Sequence, residues 1–241
     1  MDKNFQNHLQ FFRRHRGDFH TTANEAYIVS GIPGITSWTP FTADLPIPSS
    51  FDAVRLVPES GDAWPEKLTS AGFEPAEALT YMELGQRSEQ TGKETTSIDI
   101  RRVSCADEAF RFATVQARGF MPEDAPPDDP WHTIFPRVAV RNAHDPDQDM
   151  LIARYDDEDA AVLLVVHTPG VAGIYAVTTA PEFRNLGLSG ALLAAAIKIA
   201  DRKNAHHIVL QAMQNSYAEG FYRRLGFEDQ YTSRVWRRKS V

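Results

Sequence analysis

The stretch that most constrains the fold is GIYAVTTAPEFRNLGLSG, which spans residues 173–190. Its apolar run, residues 174–177, is rich in β-forming residues. The run breaks at Pro181 and leads through a glycine-containing turn into an alanine-rich segment, a pattern that predicts strand, turn and helix. The first N–H groups of such a helix have no intrahelical acceptor, and the helix dipole adds partial positive charge there. With Arg184 alongside, this turn is typical of a phosphate-binding site.

Composition excludes several classes of protein. The 241 residues suffice for one large domain or two modest ones, and 42% hydrophobic with 24% charged residues is typical of a globular protein. A net charge of −7 argues against broad nucleic-acid binding. No window approaches the roughly 18 to 20 apolar residues that span a bilayer. A single cysteine, Cys105, excludes an internal disulfide framework. We therefore expect a cytoplasmic protein that binds neither membrane nor nucleic acid.

Two apparent metal motifs fail on inspection. The run that begins at Asp145 imitates a calcium loop, but its sixth position is Met150 and its twelfth is Asp156, where such a loop has Gly and Glu. The adjacent pair His206 and His207 lies on a predicted strand, so the two rings point to opposite faces. We therefore expect no bound metal.

The first part of the chain mixes helices and strands. The patterns predict an amphipathic helix at 1–16, a strand at 25–31, loops and short edge strands at 32–48, a strand at 51–57, a short helix at 64–72 and a strand at 78–84. The polar segment 85–97 has no periodic apolar face and is the predicted linker. We therefore expect two domains, 1–84 and 98–241.

The second part repeats the mixture around the opening stretch. The patterns predict a strand at 98–103, a helix at 106–119, an irregular proline-rich segment at 119–136, three strands in a meander between 150 and 179, a helix at 188–203, a strand at 206–213, a short helix at 215–226 and a strand at 229–238. Segment 119–136 is predicted to be a lid or pocket wall, or else a surface excursion. The strand at 206–213 should run parallel to residues 174–177.

The turn and a second segment together resemble a known family. After Arg184-x-x-Gly187-x-Ser189 come a strand and then Asn215, Ala218, Tyr222 and Gly226-Phe227. Over residues 98–238 this order resembles the GNAT superfamily of acyl-CoA-dependent N-acyltransferases. The resemblance implies a mixed α/β fold: a mostly antiparallel sheet flanked by helices, with one parallel strand pair at the acyl-CoA site. Ser189 departs from the family, which has glycine or alanine there, so its hydroxyl either donates to a phosphate or crowds the turn.

The resemblance also implies roles for individual residues. The pyrophosphate of coenzyme A would be held by the backbone N–H groups of Asn185, Leu186, Gly187, Leu188, Ser189 and Gly190, with Arg184 beside them. The pantetheine would pair with the strand at Val177 and Thr179 and accept a hydrogen bond from Asn215. Tyr222 would return a proton to the leaving thiolate. A phenol with a pKa near 10 is protonated at neutral pH and can serve as this acid.

The general base stays unassigned. Many family members carry a carboxylate on or near the strand before the turn, whereas residues 174–179 contain none. Tyr175, His167, His132 and Glu182 are candidates, and each also has a structural interpretation. A water chain leading to bulk solvent is a further alternative.

A weak internal repeat links the two parts of the chain. Residues 51–84 can be laid on 205–238 without a gap, so that Val54 falls on Ile208 and Gly72-Phe73 falls on Gly226-Phe227. In this first copy Leu68 stands in place of Tyr222, and no Arg-x-x-Gly turn precedes it. We therefore expect residues 1–84 to be a degenerate, catalytically silent GNAT-like unit, which makes the chain a possible tandem repeat.

These observations favour one function and leave a rival open. The favoured function is transfer of an acetyl group from acetyl-CoA to a primary amine, by direct attack within a ternary complex. The rival is a non-catalytic acyl-CoA-binding sensor, which would keep the residues from Arg184 to Gly190 without needing Tyr222. Transfer of a larger acyl or aminoacyl group is a third alternative. The chain is expected to be a monomer or a homodimer, and two pseudo-symmetric halves would already supply each other's partner.

Overall fold

The computed structural model describes residues 1–30, 35–85, 98–122 and 124–239. Contacts divide the chain into two compact units: unit 1 is Met1–Gln86 with Val209–Val241, and unit 2 is Arg87–Ile208. The predicted linker 85–97 lies outside the described residues except for Gly85. The units differ from the predicted domains 1–84 and 98–241, because residues 209–241 group with the N-terminal segment. As a division by ancestry and activity, the two domains stay a prediction.

Unit 1 combines both ends of the chain. Its elements are helix α1 (Lys3–His15), strands β1 (Asp18–Thr21), β2 (Glu25–Val29), β3 (Ser37–Pro40) and β4 (Ala53–Leu56), helix α2 (Trp64–Ser70) and strand β5 (Phe73–Leu84), then strand β10 (His207–Met213) from Val209 onward, helix α6 (Tyr217–Arg224) and strand β11 (Phe227–Arg238). Its strands follow the order β1-β2-β3-β4-β11-β5-β10.

The sheet of unit 1 has an apolar cluster on each face. Under α1, Phe5, Leu9 and Phe12 pack with Ile28 and Tyr81, as the helical spacing of the apolar residues predicts. On the other face, α2 contributes Trp64 and Leu68 to a cluster formed with the residues Trp38, Val54, Phe73 and Trp236. Strand β3 is buried along its length and lies between β2 and β4. The expectation of edge strands in this region is therefore wrong for β3, where Pro40 ends the strand and interrupts no central ladder.

The last strands of the two matched segments exchange places in this sheet. Strand β11 lies between β4 and β5, and β5 lies between β11 and β10. The gap-free alignment matches β4 with β10 and β5 with β11. If each strand in the order β4-β11-β5-β10 is replaced by its match, the result is the same order read from the other end. Leu79 and Ser233, which that alignment places on each other, are direct partners in the β5–β11 ladder. This symmetry supports the internal repeat, which stays a prediction.

Unit 2 holds the middle of the chain. Its elements are strand β6 (Ile98–Arg102), helices α3 (Ala106–Phe120) and α4 (Trp131–Arg141), strands β7 (Gln148–Tyr155), β8 (Glu158–Thr168) and β9 (Val171–Thr179), and helix α5 (Leu188–Arg202). The strands follow the order β9-β8-β7-β6, and each neighbouring pair is antiparallel. Left-handed backbone at Asp156, Asp157 and Gly170 forms the two tight turns, so the predicted meander is confirmed.

Helix α4 is the main departure from the expected elements of unit 2. Segment 119–136 was expected to be irregular because of its prolines, yet α4 begins at Trp131 inside it. Pro130 precedes the helix, where a missing N–H costs nothing. Pro136 lies within the helix and removes a single backbone hydrogen bond. Buried Ile134, Phe135 and Val138 along one face outweigh that loss.

The fold class agrees with expectation. The described chain is a mixed α/β structure with six α-helices and mostly antiparallel strand pairs. Within unit 1, β3 and β4 pair in parallel through Trp38 and Val54. The predicted parallel partners at residues 174–177 and 208–213 belong mainly to different units, and their pairing is kept here as a prediction.

The strand exchange predicts that residues 98–241 cannot fold alone. That fragment lacks β4 and β5, which flank β11, so β11 would expose both of its edges. We expect the isolated fragment to aggregate, or to lack the far-ultraviolet circular dichroism of the full chain. Co-expression of residues 1–85 with 86–241 should instead yield a folded complex on size-exclusion chromatography. A monomeric 98–241 fragment with cooperative unfolding would contradict this prediction.

Candidate functional site

Strand β9 is irregular just before the predicted turn. Its register with β8 shifts after the pair Val162–Thr178, and Ala176 and Val177 have no register partner on β8. Ala176 has φ of +51°, a left-handed conformation that costs a residue other than glycine about 1 to 2 kcal/mol. The two features together define a β-bulge. The bulge frees the backbone of Val177 from the β8 ladder.

The turn after β9 has the backbone that its sequence predicts. A single 3-10 turn at Pro181–Phe183 leads to Arg184. Asn185 and Gly187 follow with φ of +66° and +80°, and α5 begins at Leu188. Asparagine and glycine tolerate this left-handed region better than other residues. The turn therefore reverses the chain tightly and directs it into α5.

Successive N–H groups in this turn are left without protein acceptors. The first hydrogen bond of α5 runs from Ala191 N to Gly187 O at 3.1 Å, and no side chain caps the helix. Within the described residues, no acceptor is found for the N–H groups of Asn185, Leu186, Gly187, Leu188, Ser189 and Gly190. These donors lie at the positive end of a 15-residue helix. Such a cluster is suited to an anion.

Side chains fix the turn to its neighbours in unit 2. The hydroxyls of Ser189 and Thr179 are 2.8 Å apart and hydrogen-bonded, so in this structure the Ser189 hydroxyl joins the helix start to the end of β9. Arg184 donates from Nη2 to the carbonyl of Gly119 at 3.5 Å. Glu182 forms an ion pair with Arg118. Both contacts reach α3.

Gly119 is a positioning residue that the sequence did not single out. A Cβ at this position would lie 2.4 Å from Thr178 Cγ2 and 2.8 Å from Thr179 O. The absence of a side chain therefore lets α3 approach β9 beside the turn. Phe120 follows and is 63% exposed, with its ring against the edge of Phe135 on α4. An exposed aromatic surface thus stands next to the predicted phosphate turn.

The second group of predicted site residues lies in unit 1, at the start of α6. Asn215 has φ of +62°. The side chain of Ser216, not that of Asn215, caps the helix by accepting from Glu219 N at 3.2 Å. The Asn215 backbone N–H donates to Glu219 Oε2 at 2.9 Å. The Asn215 amide group has no hydrogen bond within the described residues, which leaves it available to a ligand.

Glu219 is the second functional residue that sequence reasoning missed. The residue is 2% exposed. Its carboxylate accepts a hydrogen bond from Thr80 on β5 and contacts Arg223 Nη2 at 3.0 Å. Together with Asn215 N–H, these donors satisfy the buried charge. The signal was present as Ser216-x-x-Glu219, a capping-box pattern. In the structure, Glu219 holds Asn215 in its left-handed conformation.

Tyr222 lies on the same helix with a buried ring. The residue is 7% exposed, and its ring meets that of Phe227 edge-on at 5.9 Å. Its hydroxyl has no hydrogen-bond partner within the described residues. Burial raises the pKa of Tyr222 to about 12. The phenol is therefore protonated throughout the neutral range and can donate a proton.

The predicted site residues thus form two groups. Val177, Thr179 and the turn 184–190 come together in unit 2, whereas Asn215 and Tyr222 come together in unit 1. That both groups act on one ligand stays a prediction.

Comparison with known proteins shows a family similarity. Residues 114–227, a range that contains both groups, match the sequence model of the acetyltransferase (GNAT) family. This part of the chain therefore resembles a GNAT acetyltransferase domain. A comparison with curated proteins gives no match.

Solved structures share the fold over most of the chain. A GCN5-related N-acetyltransferase from Kribbella flavida is 15% identical, with a TM-score of 0.69 over 99% of this chain and 96% of that one. A functionally unknown conserved protein from Staphylococcus epidermidis is 15% identical, with a TM-score of 0.64 over 92% and 93%. A GCN5-related N-acetyltransferase from Sphaerobacter thermophilus is 19% identical, with a TM-score of 0.59 over 78% and 61%. Similarity at this level of identity establishes the fold.

The candidate bases of the GNAT domain have structural partners or stand in solvent. His167 Nε2 is 2.7 Å from Asp149 Oδ2, which also contacts Lys203 at 3.4 Å. Burial alone would raise the pKa of Asp149. The hydrogen bond with His167 and the nearby cations together lower it by more, so the pKa lies below its usual value. His132 is exposed at the start of α4, and Glu182 is paired with Arg118. Tyr175 is buried on β9.

The N-terminal segment has no counterpart of the turn 184–190 among its described residues. Between β3 and β4 the chain is a loop, and side chains of α2 tie it down. Trp64 Nε1 donates to Thr42 O at 3.1 Å, and Lys67 Nζ donates to Ala43 O at 3.3 Å. Within the described residues, no group of three or more His, Cys, Asp or Glu side chains is arranged to hold a metal, and no helix is long and apolar enough to cross a membrane.

Gly119 and Gly190 give a matched test of the packing around the turn. We expect Gly119→Ala to lower the free energy of unfolding by about 1 to 3 kcal/mol, because its Cβ would clash with β9. Gly190→Ala should leave stability unchanged or raise it by up to about 1 kcal/mol, because its Cβ meets nothing within 4 Å in a helical turn. Urea titration measures both. Equal effects of the two substitutions would contradict the assigned role of Gly119.

Proposed function

We propose that this protein transfers an acetyl group from acetyl-CoA to a primary amine by direct attack in a ternary complex. The observation that carries the proposal is the turn after β9. Its successive N–H groups lack protein acceptors, it carries Arg184, and it lies inside the stretch that matches the GNAT family. Coenzyme A is an anionic ligand whose pyrophosphate suits such a turn.

The cosubstrate would extend from the turn along β9. The N–H groups of residues 185–190 would hold the pyrophosphate, and Arg184 would add a full positive charge. The pantetheine would lie along the strand at Val177 and Thr179. The β-bulge supports this placement, because Val177 has no partner on β8. The unpaired amide of Asn215 would bind the pantetheine arm.

Tyr222 would be the general acid. The amine nitrogen attacks the thioester carbonyl carbon and gives up one proton to water, the carbon–sulfur bond breaks, and the thiolate takes the phenolic proton. The proton of Tyr222 is present at neutral pH, as the role requires, although the burial that raises its pKa to about 12 makes the phenol a weaker acid than a free tyrosine. Phenolate formed in the transfer is reprotonated from solvent before the next turnover.

The acceptor must lose a proton before it attacks. An alkylammonium has a pKa of about 10.4, so deprotonation at pH 7 costs roughly 4 to 5 kcal/mol. The partners found for His167 and Glu182 favour a water path to solvent over a dedicated base. Under this scheme kcat/KM rises with pH through the neutral range, as the free amine increases.

The acceptor wall would include the aromatic surface next to the turn. Phe120 is exposed beside Gly119, and Trp131 stacks on Phe135 at 4.8 Å. Both belong to segment 119–136, which the sequence predicts to be a lid or pocket wall.

We also propose the cytoplasm as the compartment, because the single cysteine suits a reducing environment.

A panel of primary amines assayed with acetyl-CoA tests the function, with release of the free thiol as the readout. Turnover with at least one amine, and an acetylated product by mass spectrometry, is the expected result. Tight binding of coenzyme A without turnover across small amines and peptide N-termini would favour the non-catalytic sensor. Faster turnover with longer acyl-CoA donors would favour the larger acyl group.

Tyr222→Phe should lower kcat by about 10² to 10⁴ while leaving coenzyme A affinity unchanged, because a positioned acid contributes that much to rate. Tyr217→Phe is the matched control on the same helix, since Tyr217 is 79% exposed. Steady-state thiol release with the best amine measures both variants. Wild-type turnover by Tyr222→Phe would exclude the acid role.

Arg184→Gln should weaken coenzyme A binding by about tenfold, because a charge-assisted phosphate contact is lost. Arg202→Gln at the opposite end of α5 removes the same charge far along the helix, and it should leave affinity unchanged. Isothermal titration at two salt concentrations measures both. A similar loss in the two variants would point to general charge and argue against a site at the turn.

A further inference from the structure

Unit 1 contains a buried arginine for which the described residues provide no ion-pair partner. Arg55 on β4 is 7% exposed. Its Nη1 donates to Ser233 Oγ at 3.4 Å, and its Nε is sealed from solvent with no partner. Within the described residues, no carboxylate forms an ion pair with it. A buried charge is strongly destabilising unless it is paired, so the position calls for an anion.

The surroundings of Arg55 are polar and lie beneath α1. Val57, two residues along the chain, packs with Phe5 and Leu9, which places Arg55 on the same face of the sheet. On the adjacent strand β3, Ser37 is buried and its hydroxyl has no partner. Two unpartnered donors therefore lie on neighbouring strands under one helix.

The predicted repeat matches Arg55 with an apolar residue in the C-terminal segment. The gap-free alignment that matches Val54 with Ile208 also matches Arg55 with Val209. Val209 is fully buried. An apolar side chain occupies the matched position on β10, so the strand pattern that the two segments share does not itself require the arginine on β4.

The neighbouring groups limit the charge of the ligand. His8 Nδ1 is hydrogen-bonded to the Tyr81 hydroxyl at 2.5 Å. Burial first, and then the charges of Arg55 and Arg16, lower the pKa of His8 well below its usual value. Burial raises the pKa of Tyr81; the charge of Arg55 opposes this rise, and the charge of Asp2 adds to it. Both rings are neutral near pH 7, and the other charges that act on them, those of Arg16 and Asp2, are opposite in sign. The charge left over is therefore that of Arg55, which a single negative charge balances.

The geometry of the guanidinium favours a carboxylate. Because Nη1 is engaged with Ser233, the Nε and Nη2 edge is left, and this edge binds a carboxylate through two parallel hydrogen bonds. The adjoining apolar cluster under α1 includes Phe12, Ile28 and Val57. We propose that Arg55 and Ser37 form a binding site for a small aliphatic monocarboxylate within unit 1.

Thermal unfolding of the full chain in sodium propionate tests this site. Wild type should show a saturable rise in Tm, about 3 to 6 °C at ten times Kd, which sodium chloride at equal ionic strength does not reproduce. Arg55→Met should fold with an unliganded Tm at or above that of wild type and lose the propionate response. Arg55→Lys, which keeps the charge without the bidentate edge, should bind at least about tenfold more weakly.

Arg234→Met is the matched control, because Arg234 is an exposed arginine on β11, and it should keep the full response. Line broadening of carbon-13-labelled propionate gives a second readout that does not depend on unfolding. A response that persists in Arg55→Met, or none in wild type, overturns the proposal. A larger response to sulfate or phosphate than to propionate overturns the carboxylate assignment.

Discussion

The long ladder between β5 and β11 is the interaction on which unit 1 depends. It runs from Phe227 opposite Leu84 to Arg238 opposite Phe73, and it joins segments from opposite ends of the chain. Each strand also pairs with the other half's partner, β11 with β4 and β5 with β10. Because sheet pairing is cooperative with burial of the clusters on both faces, loss of either strand removes partners from both halves.

This strand exchange also links the N-terminal segment to the candidate site. Thr80 on β5 donates to Glu219 on α6, and Glu219 in turn accepts the N–H of Asn215. A strand of the N-terminal segment thus helps to fix a residue that is proposed to bind pantetheine. If the predicted repeat is real, the last strand of a segment without the turn or the tyrosine still orients Asn215, the residue proposed to bind pantetheine.

Local pattern predicted much of this structure. Apolar spacing identified α1 and α3, and glycines at 72 and 226 with φ of +82° and +88° marked the ends of α2 and α6. The left-handed Asn185 and Gly187 follow from the sequence of the turn. The strand exchange did not follow, because pairing between distant segments leaves no periodic signal in either one. The same holds for Gly119, whose role depends on a strand that lies far along the chain.

The exchange has a consequence for the order of synthesis. A ribosome completes β4 and β5 long before it reaches β11, the strand that separates them in the finished sheet. Before β10 and β11 are made, one edge of β4 and both edges of β5 are unsatisfied, and closing them requires contacts of very high sequence separation. Such topologies fold slowly and expose edges that other chains can pair with. The sheet of unit 1 can therefore close only after β11 has emerged from the ribosome.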